Sequence, residues 1–194
     1  MDDAEKDPQA PVIAPLELSD APELLDYIMR NRLFLQGLEP LRPDEYFTLE
    51  GQVEDIRRVQ SRSRDGDGFA FGLFSNGALV GRVALSNVVR GAGQYATIGY
   101  SVDQRHNGKG HATEAVRLAV AFAFRDAGLH RVQGAVMPGN LASARVLAKA
   151  GFRSEGHFLR YLRIAGCWAD HDIYAITEED WTAGGTPRGA GEHP

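Results

Sequence analysis

Basic residues and glycines follow a strand-like segment in the middle of the chain. Side chains of the segment Tyr95–Val102 alternate as they do in a strand, and an apolar helical stripe follows the glycines. Gly108 and Gly110 stand between the two elements. The N-terminus of a helix offers unpaired backbone N–H groups and partial positive charge, to which Arg105 and Lys109 add two cations. This junction therefore predicts a site for a phosphate or pyrophosphate.

Two other phosphate-binding patterns fail at this chain's glycines. A Walker A loop requires Gly-x-x-x-x-Gly-Lys-Ser/Thr, but Asp103 occupies the first glycine position and Gly110 follows Lys109. The segment 91–96 fits a loose Gly-x-Gly-x-x-Ala pattern, yet it precedes a strand, whereas a dinucleotide fingerprint opens a helix. NTP hydrolysis is disfavoured, and we interpret 91–96 as a hairpin loop.

The elements around this junction are readable from periodicity and from turn residues. The dipeptide Asn76-Gly77 between two apolar runs is typical of a hairpin, and Ser19 precedes a helical pattern. No internal repeat is visible. The predicted strands are 12–18, 69–74, 79–85, 95–102, 131–137, 152–164 and 168–176, and the predicted helices begin near 19 and cover 44–63, 110–126 and 142–150.

In the loop after the predicted strand 95–102, the chain resembles the GNAT superfamily of N-acetyltransferases. The segment Arg105-His-Asn-Gly108-Lys-Gly110 matches the acyl-CoA signature Gln/Arg-x-x-Gly-x-Gly/Ala. Residues 96–102, 140–143 and 149–156 are similar to the RimJ/RimL-like branch, which acetylates the N-termini of ribosomal proteins. The resemblance covers residues 12–181 and implies one α/β GNAT domain. It implies a mostly antiparallel mixed sheet of about seven strands, about four helices, and two strands splayed for acyl-CoA. Residues 1–11 and 182–194 are predicted to be flexible tails.

The resemblance implies acetyl-CoA as the acyl donor and a set of residues that bind it. The pyrophosphate is expected on the backbone N–H groups of residues 105–112, and the pantetheine arm is expected against a free strand edge. Asn140 and Ser143 are expected to face the pantetheine and the thioester sulfur. The predicted cofactor-binding residues are Tyr100, Ser101, Val102, Arg105, His106, Asn107, Gly108, Lys109, Gly110, His111, Ala112, Asn140 and Ser143.

The implied reaction is direct attack of a neutral amine on the acetyl thioester in a ternary complex. Backbone N–H groups near 100–102 are expected to bind the oxyanion. Ser143 is the predicted catalytic residue, a proton donor to the leaving thiolate, although it is equally interpreted as a helix cap. Some relatives place a carboxylate where this chain has Leu162. The general base is therefore unassigned, with Glu23, Glu54 and Asp172 as candidates acting through water.

The expected acceptor is a primary amine, first of all a protein or peptide N-terminus. An α-amine with a pKa of about 8 is partly neutral at pH 7, whereas lysine at about 10.4 is not, so a site without a strong base suits an α-amine. A small-molecule amine, such as an antibiotic or metabolite, and a non-catalytic acyl-CoA sensor are the alternatives. Phe34, Tyr46 and Trp168 are predicted to line the acceptor pocket, against the alternative of aromatic packing under loops.

Composition limits the remaining function classes. The chain has 194 residues, 43% of them hydrophobic and 24% charged, which suits one soluble domain. Its net charge of −5 argues against a nucleic-acid partner. A single cysteine, Cys167, excludes an intrachain disulfide, and His106 and His111 lack helical metal-pair spacing, so no metal is predicted. No apolar run reaches the roughly 18–20 residues that span a bilayer. A cytoplasmic location is predicted, as a monomer or homodimer.

Overall fold

A computed structural model describes residues 10–183. Its seven strands are β1 (Val12–Pro15), β2 (Phe69–Ser75), β3 (Ala78–Val89), β4 (Tyr95–Val102), β5 (Arg131–Val136), β6 (Arg153–Ile164) and β7 (Cys167–Thr177). Its five α-helices are α1 (Ala21–Leu35), α2 (Leu49–Asp65), α3 (His111–Arg125), α4 (Leu141–Lys149) and α5 (Glu178–Ala183). The strands form one open sheet in the order β1-β2-β3-β4-β5-β7-β6. None of the described helices is both long and apolar enough to span a membrane.

The observed elements differ from the predicted ones at two places that matter below. The helix predicted over 44–63 is interrupted: Asp44–Phe47 forms a 3₁₀ turn, and α2 begins after Thr48, whose Oγ1 accepts a hydrogen bond from Gly51 N–H at 3.1 Å. A fifth helix, α5, is also present, and it continues to Ala183. Of the predicted tails, residues 1–9 and 184–194 lie outside the described part of the chain.

The sheet buries a separate hydrophobic cluster on each face. Helix α3 lays its fully buried Ala115, Val116 and Ala119 against alternate residues of β3 and β4, and Leu147 of α4 joins the same cluster. On the other face, Leu24 and Tyr27 of α1 pack with Ile56 of α2. Alternate side chains of each strand therefore face different helices, as strand geometry requires.

The middle of the sheet is the place where two neighbouring strands separate. β4 pairs with β3 along its length, but its parallel pairing with β5 is limited to Tyr95, Ala96 and Thr97. Thr97 also lies opposite Ser86 of β3, where a bulge begins. A bulge bends a strand and increases its local twist. The remainder of β4 has a free edge.

Candidate active site

The turn after β4 is built on a buried carboxylate. Asp103 is 1% exposed, and its Oδ2 accepts hydrogen bonds from Nε and Nη2 of Arg30 on α1, at 2.9 and 2.8 Å. Its Oδ1 accepts the backbone N–H of Arg105 at 2.9 Å, and Arg105 Nη2 lies 3.1 Å from Oδ2. Next to this cluster, Asn31 Oδ1 accepts the Gln104 N–H at 2.9 Å. Helix α1 therefore holds the turn in one conformation.

Asp103 carries a charge that its neighbours stabilise. Burial by itself raises the pKa of this carboxyl, but the hydrogen bonds from Arg105 and Arg30 and the charge of Arg30 bring the pKa far below the ordinary aspartate value. Asp103 is therefore ionised throughout the neutral pH range. The Arg105 side chain is hydrogen-bonded to Asp103 and is therefore held against the turn.

Two glycines and two histidines shape the loop between this turn and α3. Gly108 and Gly110 have φ angles of +78° and +84°, a left-handed conformation that glycine adopts without strain. The first turn of α3 has no side-chain cap, so its N–H groups are free for a ligand. The Nδ1 atoms of His106 and His111 are buried without a described partner. Burial, with help from His106 and Lys109, lowers the pKa of His111. The loop offers donors suited to an anion.

The free edge of β4 continues from this loop into the gap beside β5. The Gln94 carbonyl accepts from β5, whereas the Asp103 N–H donates to Val80 of β3 at 2.8 Å. Backbone groups of successive strand residues point to opposite sides. The N–H and C=O groups that face the gap are therefore those of Ile98, Tyr100 and Val102. They can pair with an extended amide-bearing chain in the way that another strand would.

A pair of hydroxyl groups bridges the gap. Tyr100 Oη lies 2.8 Å from Ser143 Oγ, and it donates to the Ser143 carbonyl at 3.1 Å. The Ser143 N–H is capped by Asn140 Oδ1 at 3.1 Å. Burial raises the pKa of Tyr100 to about 12, against the opposing effect of its hydrogen bond with Ser143. The capping acceptor of α4 is thus Asn140, and the Ser143 hydroxyl is directed to a protonated phenol.

One cavity of about 800 Å³ joins these features and passes from one face of the sheet to the other. On the α3 and α4 side its walls include His111, Ala112 and Ser143. On the α1 and α2 side they include Phe34 and Arg82. The gap between β4 and β5 connects the two halves, so a long ligand bound on one side can present its end to a second molecule on the other.

The half of the cavity on the α1 and α2 side has a rigid polar wall. Arg82 of β3 donates through Nη2 to Asp55 Oδ2 at 3.0 Å and through Nη1 to the Tyr46 hydroxyl at 2.9 Å. The Arg42 guanidinium lies 4.9 Å from the centre of the Tyr46 ring. Phe34, at the end of α1, adds an apolar surface. We call this half of the cavity the acceptor half, after the sequence prediction that Phe34 and Tyr46 line an acceptor pocket.

The structure brings most of the residues predicted from sequence to this cavity. All of the predicted cofactor-binding residues line it except Arg105, which is bound to Asp103, and Lys109, which is exposed. Phe34 and Tyr46 line the acceptor half, but Trp168 lies outside it, 65% exposed on β7. Of the predicted site residues, only Arg105, Lys109 and Trp168 therefore do not line the cavity.

The carboxylates considered as bases lie elsewhere. Glu23 Oε1 accepts the Leu79 N–H at 2.7 Å, and the Glu54 side chain is 73% exposed on α2. Asp172 Oδ1 is 2.8 Å from His157 Nδ1. None of the three lines the cavity, whereas the Leu162 side chain does.

Sequence reasoning missed several polar residues of the acceptor half, among them Glu39, Arg82 and His171. Glu39 and Arg82 stand alone among dissimilar neighbours, so no local pattern marked them. His171 stands between two aspartates on a strand, and alternation places it on the opposite face from both. It is 2% exposed, and its Nδ1 lies 3.0 Å from the Ala169 carbonyl. Of these residues, only His171 stood in a sequence pattern that could have identified it.

Comparison with known proteins places this geometry in a family. Residues 12–153 match the family model described as acetyltransferase (GNAT) domain. The chain is 45% identical over 170 residues to "Probable N-acetyltransferase YjcK" of Bacillus subtilis, covering 87% of this chain and 94% of that protein. It is 37% identical over 167 residues to the [ribosomal protein uS5]-alanine N-acetyltransferase of Escherichia coli, covering 85% and 86%.

A solved structure with a bound coenzyme is also similar. Mycobacterium smegmatis RimJ in complex with CoA-disulfide superposes with a TM-score of 0.84 at 30% identity, over 90% of this chain and 89% of that chain. The mixed sheet of about seven strands predicted from sequence is thus the GNAT fold. The chain belongs to the GNAT acetyltransferase family, and it is an N-acetyltransferase related to the enzymes that modify ribosomal proteins.

Proposed function

We propose that this enzyme transfers the acetyl group of acetyl-CoA to the N-terminal α-amine of a protein or peptide. The observation that carries the proposal is the cavity that crosses the sheet through the gap between β4 and β5. The relative of Escherichia coli named above acts on an alanine of ribosomal protein uS5, which supports a peptide N-terminus as acceptor. Such an acceptor would place the reaction in the cytoplasm.

The residues of the cavity fit acetyl-CoA as the donor. Free N–H groups at the start of α3 and the unpartnered Nδ1 atoms of His106 and His111 suit the pyrophosphate. The open edge of β4 suits the amide groups of the pantetheine arm. Acetyl-CoA supplies an acetyl group activated as a thioester. The backbone N–H groups of Tyr100 and Val102 face the gap and are placed to bind the oxyanion.

The hydroxyl pair of Tyr100 and Ser143 provides the proton for the leaving sulfur. A thiol has a pKa of about 8.5, so it leaves readily and needs only a modest donor. Tyr100 is protonated in the neutral range because burial raises its pKa to about 12. Its hydrogen bond to Ser143 allows the serine hydroxyl to pass on a proton while the phenol replaces it. Ser143 is thus the proposed catalytic donor, with Tyr100 behind it.

Thiol release from acetyl-CoA against a panel of amines tests the proposed acceptor. The panel contains peptides with free N-terminal alanine, serine or methionine, the same peptides with a blocked N-terminus and one lysine, a polyamine and an aminoglycoside. We expect turnover of the free N-terminal peptides and little turnover of the blocked ones. Selective turnover of a small amine would assign the enzyme to metabolite or drug modification, and tight CoA binding without turnover would favour an acyl-CoA sensor.

Replacing Tyr100 by phenylalanine is expected to lower kcat by roughly 10- to 100-fold. This is below the usual range for general acid catalysis, because a thiolate is a good leaving group. Ser143→Ala is expected to have a similar effect, and the double variant little more than either, since the two hydroxyls act in series. Steady-state kinetics and CoA titration measure kcat and affinity separately. Tyr95→Phe on the same strand is the control, and wild-type kcat in Tyr100→Phe would refute the role.

A further inference from the structure

The acceptor half of the cavity contains one carboxylate. Among residues 10–183, Glu39 supplies the only aspartate or glutamate side chain that lines the cavity. It lies in the loop that follows α1, and this loop is fixed to the hairpin of β6 and β7. The Ala165 N–H donates to the Glu39 carbonyl at 3.0 Å, and the Leu41 side chain lies beside Gly166 of the same hairpin turn. The backbone that carries Glu39 is therefore held in place.

The side chain of Glu39 is unpaired, although two arginines are near it. Its carboxylate has no hydrogen bond or ion pair within the described part of the chain. Arg82 is engaged with Asp55 and Tyr46, and Arg42 stacks on the Tyr46 ring. Burial raises the pKa of Glu39, and Arg42 and Arg82 oppose this effect without cancelling it. A half-buried, unpaired carboxylate in the wall of a cavity favours a cationic ligand.

We propose that Glu39 receives the acceptor as an ammonium ion and takes the proton that must leave before the nitrogen can attack, directly or through one water molecule. This inference rests on the proposed function, because it concerns the acceptor of the same reaction. It assigns to the loop after α1 the general base that the sequence left unassigned. The cationic amine satisfies the carboxylate on arrival, and proton transfer leaves the neutral nitrogen that the thioester requires.

The protons and bonds of the step balance. The lone pair of the amine nitrogen forms a bond to the thioester carbonyl carbon. The carbon–sulfur bond then breaks with its electron pair on sulfur. Two protons leave the nitrogen: the first passes from the ammonium ion to Glu39 before the attack, and the second leaves the tetrahedral intermediate for water. One proton reaches the sulfur from Ser143 and Tyr100. The products are an amide and a free thiol, and the two protein groups return to their starting states by exchange with solvent.

The other titratable and charged side chains in or beside this half of the cavity are less suited to the task. Tyr27 does not line the cavity; its hydroxyl donates to Ser101 Oγ at 2.8 Å, and burial raises the pKa of Tyr27 to about 12. His171 is the competing base, because its Nδ1 contact with a backbone carbonyl leaves Nε2 as an acceptor, but the residue is almost completely enclosed. The remaining groups are Arg42, Arg82, Tyr46 and Tyr161.

The test is Glu39→Gln, assayed with the panel amine that the wild-type enzyme acetylates fastest. At pH 7 we expect kcat/KM to fall roughly 100-fold, as for loss of a general base. An α-amine with a pKa of about 8 is mostly neutral by pH 9.5, where the base is no longer needed. The deficit is therefore expected to narrow to less than about 10-fold at pH 9.5. CoA affinity, measured by calorimetry, is expected to stay at the wild-type value.

Glu54→Gln, the same substitution on an exposed face of α2, is the matched control and is expected to behave as wild type. A kcat/KM within threefold of wild type for Glu39→Gln at pH 7 would overturn the inference, as would a deficit that is equal at both pH values. A loss confined to His171→Gln would transfer the role to His171. If the wild-type enzyme prefers a small amine, the proposed function is wrong, but the effect of Glu39→Gln can still be measured with that amine.

Discussion

The double variant Gly108→Ala/Gly110→Ala is expected to bind CoA roughly 30- to 1000-fold more weakly than the wild-type protein. Both glycines have left-handed φ angles, +78° and +84°. An alanine in that conformation costs about 1–2 kcal/mol, so two cost about 2–4 kcal/mol in the loop conformation that exposes the N–H groups of α3. No neighbouring atom lies within 4 Å of an added Cβ at either position. The effect is therefore conformational and not a collision.

Calorimetric titration with CoA measures this loss, and the chain provides a matched control. Gly77, in the turn between β2 and β3, has a φ of +78° and equally open surroundings. Gly77→Ala therefore introduces the same strain far from the cavity. It is expected to lower the thermal midpoint slightly and to leave CoA affinity unchanged. Equal affinity in the double variant and in Gly77→Ala would show that the loop does not hold the pyrophosphate.

Asp103→Ala is expected to destabilise the fold by about 3 kcal/mol, because it leaves Arg30 beside a buried position without its carboxylate. Arg30 is 28% exposed, which keeps the cost at the lower end of the range for broken buried pairs. For a domain of this size, the thermal midpoint is expected to fall by about 6–12 °C. The backbone N–H of Arg105 also loses its acceptor. CoA binding is therefore expected to weaken along with stability.

Thermal unfolding of Asp103→Ala beside Asp44→Ala checks this expectation. The Asp44 side chain is 99% exposed, so its removal is expected to change stability by less than about 0.5 kcal/mol. Because the folded pKa of Asp103 is depressed, its contribution is complete above the ordinary aspartate pKa of about 3.9 and is lost as the pH falls further. The two variants are therefore expected to differ at pH 7 and to converge in strong acid. Equal midpoints at pH 7 would contradict the role of Asp103.

Local pattern was sufficient for the elements that carry the phosphate loop. β4 occupies the predicted residues, Tyr95–Val102, because it alternates over its full length and is bounded by polar turns. Helix α3 begins at His111, one residue after the predicted start, because Gly110 occupies the position before the first turn. By contrast, the helix predicted over 44–63 was wrong at its start. The Thr48 cap competes with helix continuation there, and a 3₁₀ turn precedes it.

The acceptor half depends on contacts between segments distant in sequence. Trp168 was predicted to line the acceptor pocket because it is aromatic and lies in the last hairpin, but its side chain is exposed on the surface of β7. Glu39 reaches the cavity because Ala165, more than a hundred residues later, binds its carbonyl. The sequence allowed Ser143 to be either a helix cap or a catalytic group. In the structure Asn140 caps the helix, and the Ser143 hydroxyl is hydrogen-bonded to Tyr100 instead.

By itself, the sequence determined the family, the order of the elements and the phosphate loop of this protein. These depend on short-range periodicity and on glycines whose backbone angles no other residue adopts easily. The tertiary structure alone decided which side chains meet at the reacting end: Tyr100 with Ser143, and Arg82 with Asp55 and Tyr46. Within residues 10–183, it leaves the Glu39 carboxylate without a hydrogen bond. The physical reason is that burial and pairing set the charge of these groups, and both are properties of the packed sheet and its helices.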